Sequence, residues 1–396
     1  MTAASPMPVW IDESTLDAAW LSAVTKLPVQ ACTVDDVSNA GRKGARVCDG
    51  ATLRVTIESP ESRSLIIKQV SETGEALSRQ LGLAREGLFY QHLGSDLDSL
   101  PRIYYSYGDA ETGRKVVVME DLSESTVDSS VFFGPGNPHN WSKDLVTLSA
   151  KGGNAPMEIV AETTFVSIAK VHARYWKSEA LLNDKYAYLR GHAWLQGQGK
   201  ESWEGAQGLA RMFWKKHCDG EGTSIEWNPL VRETVEHAME GISWEKQLER
   251  LRVGGHWTLV HGDFWPGNVL WTRPTESSSG SINLLDWEMV GLGSGPQDLG
   301  QYAISNMSPT ERRACEERLL RRYHQTLVEE GVDVTFEHCW TEYIVGGIER
   351  WLWFLVYFAG QPQGNLPGWA QFFHDQIAAF MLDHKIGTSH VTQPRP

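Results

Sequence analysis

The chain has 396 residues, 41% of them hydrophobic and 22% charged, with a formal charge of −14 from 36 basic and 50 acidic side chains. This length exceeds the roughly 250–300 residues at which a single core stops growing, so two lobes are expected in an otherwise ordinary globular composition. The acidic surplus excludes the basic footprint that nucleic acid requires; no run of about 18 apolar residues offers a membrane span; and the N-terminal stretch lacks the basic start and apolar block of a secretory signal, so the expected location is the cytoplasm.

Residues 12–27 read as a helix, with Asp12 or Ser14 as N-cap. Residues 31–70 read as strands: CTVDDVSNA, a break at GRKGARVCDGA, then TLRVTIE and SLIIKQV. A helix covers about 74–94, and KVVVMEDL, 115–122, is a strand leaving this region. SSVFFGPGNPHNW, rich in Gly, Pro and Asn, is a loop. Over 156–178 apolar residues recur at helical spacing (Ile159, Phe165, Ile168, Val171, Trp176), and further helices are expected at 205–217, 227–251, 309–330, 336–358 and 368–384. Short strands at WTLV, NVLW and INLLD interrupt them. The outcome is an α+β chain: a small β-rich lobe at 1–122, with a hinge at 118–122, and a larger helical lobe at 123–396, the cleft between them being the expected site. Five scattered cysteines (Cys32, Cys48, Cys218, Cys315, Cys339) form no C-x-x-C pair, which argues against a disulfide framework or a zinc site.

The chemistry concentrates in LVHGDFWPGNVLW, 259–271. Asp263 and Asn268 stand five positions apart on a tight loop between two apolar runs, and their hard oxygens suit Mg²⁺. Downstream, Asp286 ends the apolar strand INLLD, where a carboxylate is costly unless paired or metal-bound. NVLWTRPTESSSGSINLLD reads as a hairpin that returns Asp286 towards Asn268, leaving Asp263 to orient or deprotonate a substrate hydroxyl. This H-x-D-x-x-x-x-N pattern with a distal Asp is an arrangement used for phosphoryl transfer. His261 braces the loop by hydrogen bonding rather than acting as a base. On its own, HGDFWPGN also reads as an Asp-capped turn.

Phosphoryl transfer makes demands upstream. In SLIIKQV, Lys68 shares a strand face with Ile66 and Val70, pointing it inward, or it is a surface lysine whose stem covers apolar neighbours. In EALSRQLGLAREGLFYQHL, Leu77, Leu81, Ala84 and Leu88 make one stripe, while Glu86 groups with Gly82, Phe89 and Leu93 on a second apolar face. A Lys68–Glu86 pair holding phosphate oxygens fits this spacing, as does an exposed helix charge at Glu86. On VVVMEDL, the backbone of Glu120 and Leu122 would meet adenine and Met119 would close the pocket behind it. SNAGRKGARVCDGATLRV, with Gly41, Gly44 and Gly50, covers phosphates with Arg42 or Lys43 assisting, or is a simple β-turn; it is not a clean G-x-G-x-x-G, and no Walker motif is present. No activation segment bounded by D-F-G and A-P-E follows Asp286, which disfavours a protein kinase.

With these pieces together, the chain resembles the aminoglycoside phosphotransferase and choline kinase superfamily, and within it the ecdysteroid-kinase-like (CHK-kinase-like) branch. HGDFWPGNVLW with LLDWE is similar to the branch's catalytic loop and metal aspartate, VVVMEDL to its hinge, IAKVHARYW to a large-lobe helix and GPQDLGQY to the segment after the metal site. The resemblance implies a bilobal protein-kinase-like fold with ATP and Mg²⁺ as cofactors. It implies Asp263 as base, Asn268 and Asp286 as Mg²⁺ ligands, Lys68 with Glu86 on the ATP phosphates, and Asp298 bracing the catalytic loop. From its context alone Asp298 is an N-terminal helix residue, and His172 a packing histidine. The partner is then a small-molecule alcohol, cationic or hydrophobic, for a monomer or homodimer; the alternatives are a nucleotide-binding pseudo-kinase or another group-transfer chemistry on the same fold. Tryptophans of the insertions at about 125–255 and 335–375 (Trp141, Trp176, Trp194, Trp203, Trp214, Trp351, Trp353) stack on the acceptor or belong to the core, and Glu349 would recognise an amine.

Overall fold

The computed structural model describes residues 11, 16, 18–37, 50–58, 63–252, 255–276, 279–364 and 368–396. Its chain divides into two compact units, residues 1–127 with 283–290, and residues 128–282 with 291–396.

The first unit opens with helix α1 (Ala18–Thr25), followed by strands β1 (Ala31–Asp36), β2 (Gly50–Glu58) and β3 (Arg63–Val70), helices α2 (Glu75–Leu81) and α3 (Arg85–His92), and strands β4 (Ile103–Gly108) and β5 (Lys115–Glu120). The five strands form an antiparallel sheet in the order β1-β2-β3-β5-β4. Register pairs Leu53 with Ile67 and Ile67 with Val118, so one face carries a row of apolar side chains, onto which Trp20 and Leu21 of α1 pack. Because side chains alternate along a strand, Lys68 lies on the opposite face, paired with Val117 and flanked by Ile66 opposite Met119.

The single helix expected over about 74–94 is two. Gly82 takes φ of +71°, a left-handed conformation that ends α2, and the chain restarts as α3. This break rotates the faces: Leu77, expected in an apolar stripe, is 40% exposed, whereas Glu86, Gly87, Phe89 and Tyr90 are buried. At Gly87 the helix touches β4 so closely that a Cβ would sit 2.2 Å from the Tyr107 carbonyl oxygen. Phe89 then stacks on Trp287 at 4.3 Å.

After β6 (Thr126–Asp128) the second unit is mostly helical: α4 (Leu145–Lys151), α5 (Met157–Arg174), α6 (His192–Leu195), α7 (Lys200–Cys218), α8 (Pro229–Glu240) and α9 (Trp244–Arg252). The expected 227–251 helix is therefore split between α8 and α9. The strands β7 (Thr258–Val260), β8 (Val269–Thr272), β9 (Ser281–Leu284) and β10 (Gly291–Gly293) follow; β7 pairs with β10, and β8 neighbours β9 as a hairpin requires. The chain enters the first unit within β9 and returns before β10. Helices α10 (Gly295–Asn306), α11 (Pro309–Glu329), α12 (Phe336–Thr341), α13 (Gly347–Ala359) and α14 (Trp369–Asp383) complete the unit. Ser308 and Glu311 form a capping box that starts α11 at Pro309. One π-helical turn, Glu342–Gly346, joins α12 to α13 within the helix expected at 336–358. Among the described residues no helix is long and apolar enough to cross a membrane.

Candidate active site

In the second unit the loop after β7 is clamped from below. The buried Asp298 carboxylate, in the first turn of α10, accepts the His261 N–H at 2.7 Å and the Gly262 N–H at 3.3 Å. Gly262 has φ of +79°, which turns the chain sharply before Asp263. The His261 ring lies 3.3 Å from the Asp263 N–H at Nδ1, and the peptide between Gly262 and Asp263 is gripped at its other end by the Arg350 guanidinium, which donates to the Gly262 carbonyl.

Asp263 itself is oriented by two amides. Asn268 Nδ2 donates to the Asp263 backbone carbonyl at 2.9 Å and to its Oδ2 at 3.2 Å, and Gln301 Nε2 donates to Oδ1 at 3.1 Å. Committing the Asn268 NH₂ to Asp263 turns the amide oxygen of Asn268 the other way, as a hard donor for a cation. Asn268 is held in turn by its own N–H to the Trp265 carbonyl at 2.9 Å. His172 is buried, its Nδ1 2.9 Å from the Tyr323 hydroxyl and its Nε2 3.5 Å from Asp298, so it stands behind the brace.

In the first unit Lys68 bridges two carboxylates: Nζ is 2.7 and 3.0 Å from the Glu86 oxygens and 2.8 Å from Asp286 Oδ1. A second ammonium, Lys115, shares Glu86 at 2.8 Å and reaches Glu288 at 2.5 Å. Burial alone would lower the Lys68 pKa, but Asp286 and Glu86 reverse this and hold it above the ordinary lysine value, so Lys68 is charged. Burial likewise disfavours the Glu86 carboxylate, and Lys115 and Lys68 outweigh it, keeping Glu86 below its usual range. For Glu288 burial wins, and its pKa is raised.

Glu86, Asp286 and Glu288 place carboxylate oxygens within 4.8 Å of one another, a donor set suited to a hard divalent cation. Glu86 is fully buried and shared by two ammonium groups, whereas the Asp286 and Glu288 side chains are 17% and 28% exposed, so these two are the members a metal could reach. Asp286 also adopts a left-handed backbone, φ +66°, of the kind stored at functional positions.

The expected hinge residues lie at the end of β5. Met119 is buried on the Lys68 face. Glu120 closes a reciprocal pair with Arg102, its N–H donating to the Arg102 carbonyl at 3.0 Å and its carboxylate accepting the Arg102 N–H at 2.7 Å. The Leu122 carbonyl accepts from Ser125 and Thr126, while its N–H makes no hydrogen bond among the described residues. A cavity of about 630 Å³ near β4, lined by Tyr90, Leu97, Arg102, Tyr104 and Glu120, contains neither Lys68 nor Glu86. Gly41 and Gly44, with Arg42 and Lys43, lie outside the described residues.

The structure thus gathers Lys68, Glu86 and Asp286 in one unit and His261, Asp263, Asn268 and Asp298 in the other. Sequence reasoning missed Lys115, Glu288, Gln301 and Arg350. A lysine opening an otherwise apolar strand, KVVVME, and a second acid in DWE were the signals for the first two. Glu349, expected to recognise an amine, is 1% exposed and already holds Arg250 and Arg395. Of the tryptophans, Trp203 and Trp351 are core, while Trp141 is 54% exposed.

This is a kinase-like fold: a small antiparallel-sheet unit and a mostly helical remainder, as in a choline kinase from Cryptosporidium parvum, which matches with a TM-score of 0.53 at 9% identity over 89% of this chain and 91% of that one. A microcompartment-associated aminopropanol kinase (TM-score 0.47, 14% identity, 94% of this chain and 98% of that one) and an ethanolamine kinase from Plasmodium vivax (0.45, 11%, 91% and 83%) are also similar. Residues 164–339 match a family model, DUF1679, described as uncharacterized oxidoreductase dhs-27. No curated protein matches the chain. The fold is the one the resemblance implies, and the family-model match covers less than half of the chain.

Proposed function

We propose that this chain is an ATP- and Mg²⁺-dependent phosphotransferase acting on the hydroxyl of a small molecule. The observation that carries the reading is Lys68 suspended between Glu86 and Asp286, a cation fixed by one buried carboxylate and in contact with a more accessible one. In this reading Lys68 holds phosphate oxygens, the backbone at Glu120 and Leu122 meets the adenine, and Met119 lies behind it. Asp286 on the first unit and the Asn268 amide oxygen on the second are the hard donors that would bind a metal, whose contribution would be to neutralise charge on the phosphates.

Asp263 is the base. Each of its oxygens accepts an amide hydrogen bond, which fixes the carboxylate plane towards the acceptor hydroxyl it would meet. The hydroxyl oxygen bonds to the γ-phosphorus as the bond from that phosphorus to the β,γ-bridging oxygen breaks, and the hydroxyl proton passes to Asp263. The products are a phosphate monoester and ADP. Most of the rate comes from positioning and charge neutralisation rather than covalent chemistry by the protein.

The test is an ATP-consumption screen with Mg²⁺ over hydroxylated amines, sterols and sugars, with products weighed by mass spectrometry. The reading expects at least one acceptor to gain a phosphoryl group. Nucleotide binding without any phosphorylated product would favour a pseudo-kinase, and a non-phosphorylated product another transfer chemistry.

A further inference from the structure

Beyond Asp298, a second support reaches the Asp263 loop from the far end of the chain. The segment Val391–Arg395 is threaded into the second unit: Val391 and Gln393 are 1% exposed and Arg395 is 7% exposed. Its polar groups meet residues of the second unit. Thr392 donates from N and Oγ1 to Glu349 Oε1, both at 2.9 Å. Gln393 accepts the Ser243 N–H at 2.9 Å, and the Pro394 carbonyl accepts from Gln207 at 2.7 Å. Arg395 donates from Nε to Glu349 at 2.6 Å and from Nη1 to Glu342 at 2.9 Å and Gln297 at 3.0 Å.

The consequence lies in the next contact. Arg350, beside Glu349 on α13 and 1% exposed, donates from Nη1 to the Arg395 carbonyl at 3.3 Å and from Nη2 to the Gly262 carbonyl. One planar guanidinium therefore spans the carbonyl of the strap and the carbonyl immediately before Asp263. A guanidinium has a fixed fork of donors, so moving one accepted carbonyl turns the plane and moves the other. Gln297, which Arg395 also grips, directly precedes Asp298. Both clamps on Gly262, Asp298 at its N–H and Arg350 at its carbonyl, are thus tied to Arg395.

We propose that Arg350 is a positioning residue for Asp263 and that the segment Val391–Arg395 is the strap that holds Arg350 in place. Its kinetic consequence rests on Asp263 being the base; the mechanical coupling does not.

The experiment pairs two readouts on the full chain. The first is amide hydrogen exchange of the peptide covering residues 259–264; the second is kcat against KM for ATP. Arg395→Ala should speed exchange in that peptide at least about tenfold, with exchange in β2 and β3 unchanged. It should lower kcat by about 10²-fold with KM for ATP within about twofold, because displacing a reacting group by an ångström costs that much without touching nucleotide binding. Arg350→Lys, which keeps the charge but replaces the planar fork with a single donor nitrogen, should keep part of the kcat that Arg350→Met loses. If Arg395→Ala does not fold, Thr392→Val removes a single hydroxyl hydrogen bond at an exposed position and should speed exchange of the same peptide by about threefold. Unchanged exchange at 259–264 in a folded Arg395→Ala or Thr392→Val variant overturns the strap. If exchange rises but no variant, nor the parent, transfers phosphate, the strap stands and the Asp263 reading fails.

Discussion

The Asn268 amide donates to both the backbone carbonyl and the carboxylate of Asp263, at 2.9 and 3.2 Å. One side chain thereby fixes the position and the plane of the Asp263 carboxylate, with its own oxygen on the far side of the amide. Asn268→Leu removes both jobs. The expected result is a kcat lower by at least about 10²-fold together with a Mg²⁺ requirement raised by at least about tenfold, read from rates across a Mg²⁺ titration.

The two lysines that share Glu86 should separate stability from activity. Lys115 is 3% exposed at its side chain, and Lys115→Met leaves Glu86 and Glu288 without a common partner; breaking such a pair costs about 3–5 kcal/mol in urea unfolding. Lys68 is 19% exposed at its side chain, so Lys68→Met should cost less stability while turnover is lost. Equal losses of stability, with turnover kept in Lys68→Met, would remove Lys68 from the phosphate site.

Gly87→Ala is a backbone-contact test of how Glu86 is placed. The added Cβ would sit 2.2 Å from the Tyr107 carbonyl oxygen, so α3 must move off β4 and carry the adjacent Glu86 with it. A loss of about 1–3 kcal/mol in urea unfolding and a raised KM for ATP are expected, whereas an unchanged KM would uncouple α3 from nucleotide binding.

Glu342 gives a pH dependence. Burial would raise its pKa, but Arg395 and its hydrogen bond bring it down to about 2, from an ordinary value of 4.5. Between those values the unfolded chain binds more protons, so the contribution of Glu342 is complete above about pH 4.5 and is lost as pH falls towards 2. Urea unfolding from about pH 7 down to about pH 3 should show the stability gap between the parent chain and Glu342→Gln closing as pH falls. A constant gap would contradict the pairing with Arg395.

Much of this was legible in sequence where local rules suffice. Period-two alternation placed Lys68 on one strand face with Ile66 and Val70, and the loop spacing put Asn268 close to Asp263. The helix around Glu86 was misread because Gly82 sits inside an apolar pattern, and only its left-handed conformation shows that the helix ends there. Gln301, Lys115 with Glu288, and Arg350 with Arg395 act across 38, 173 and 45 positions. No periodicity or motif spans such separations, since they are set by how helices and strands pack.

The most direct measurement is ATP-dependent product formation by Asp263→Asn, with nucleotide affinity measured on the same sample. The substitution keeps the shape of the side chain and removes its capacity to take a proton. The account predicts that product formation falls by about 10²–10⁴-fold while the nucleotide Kd stays within about twofold. Undiminished turnover in the folded variant would contradict Asp263 as the base.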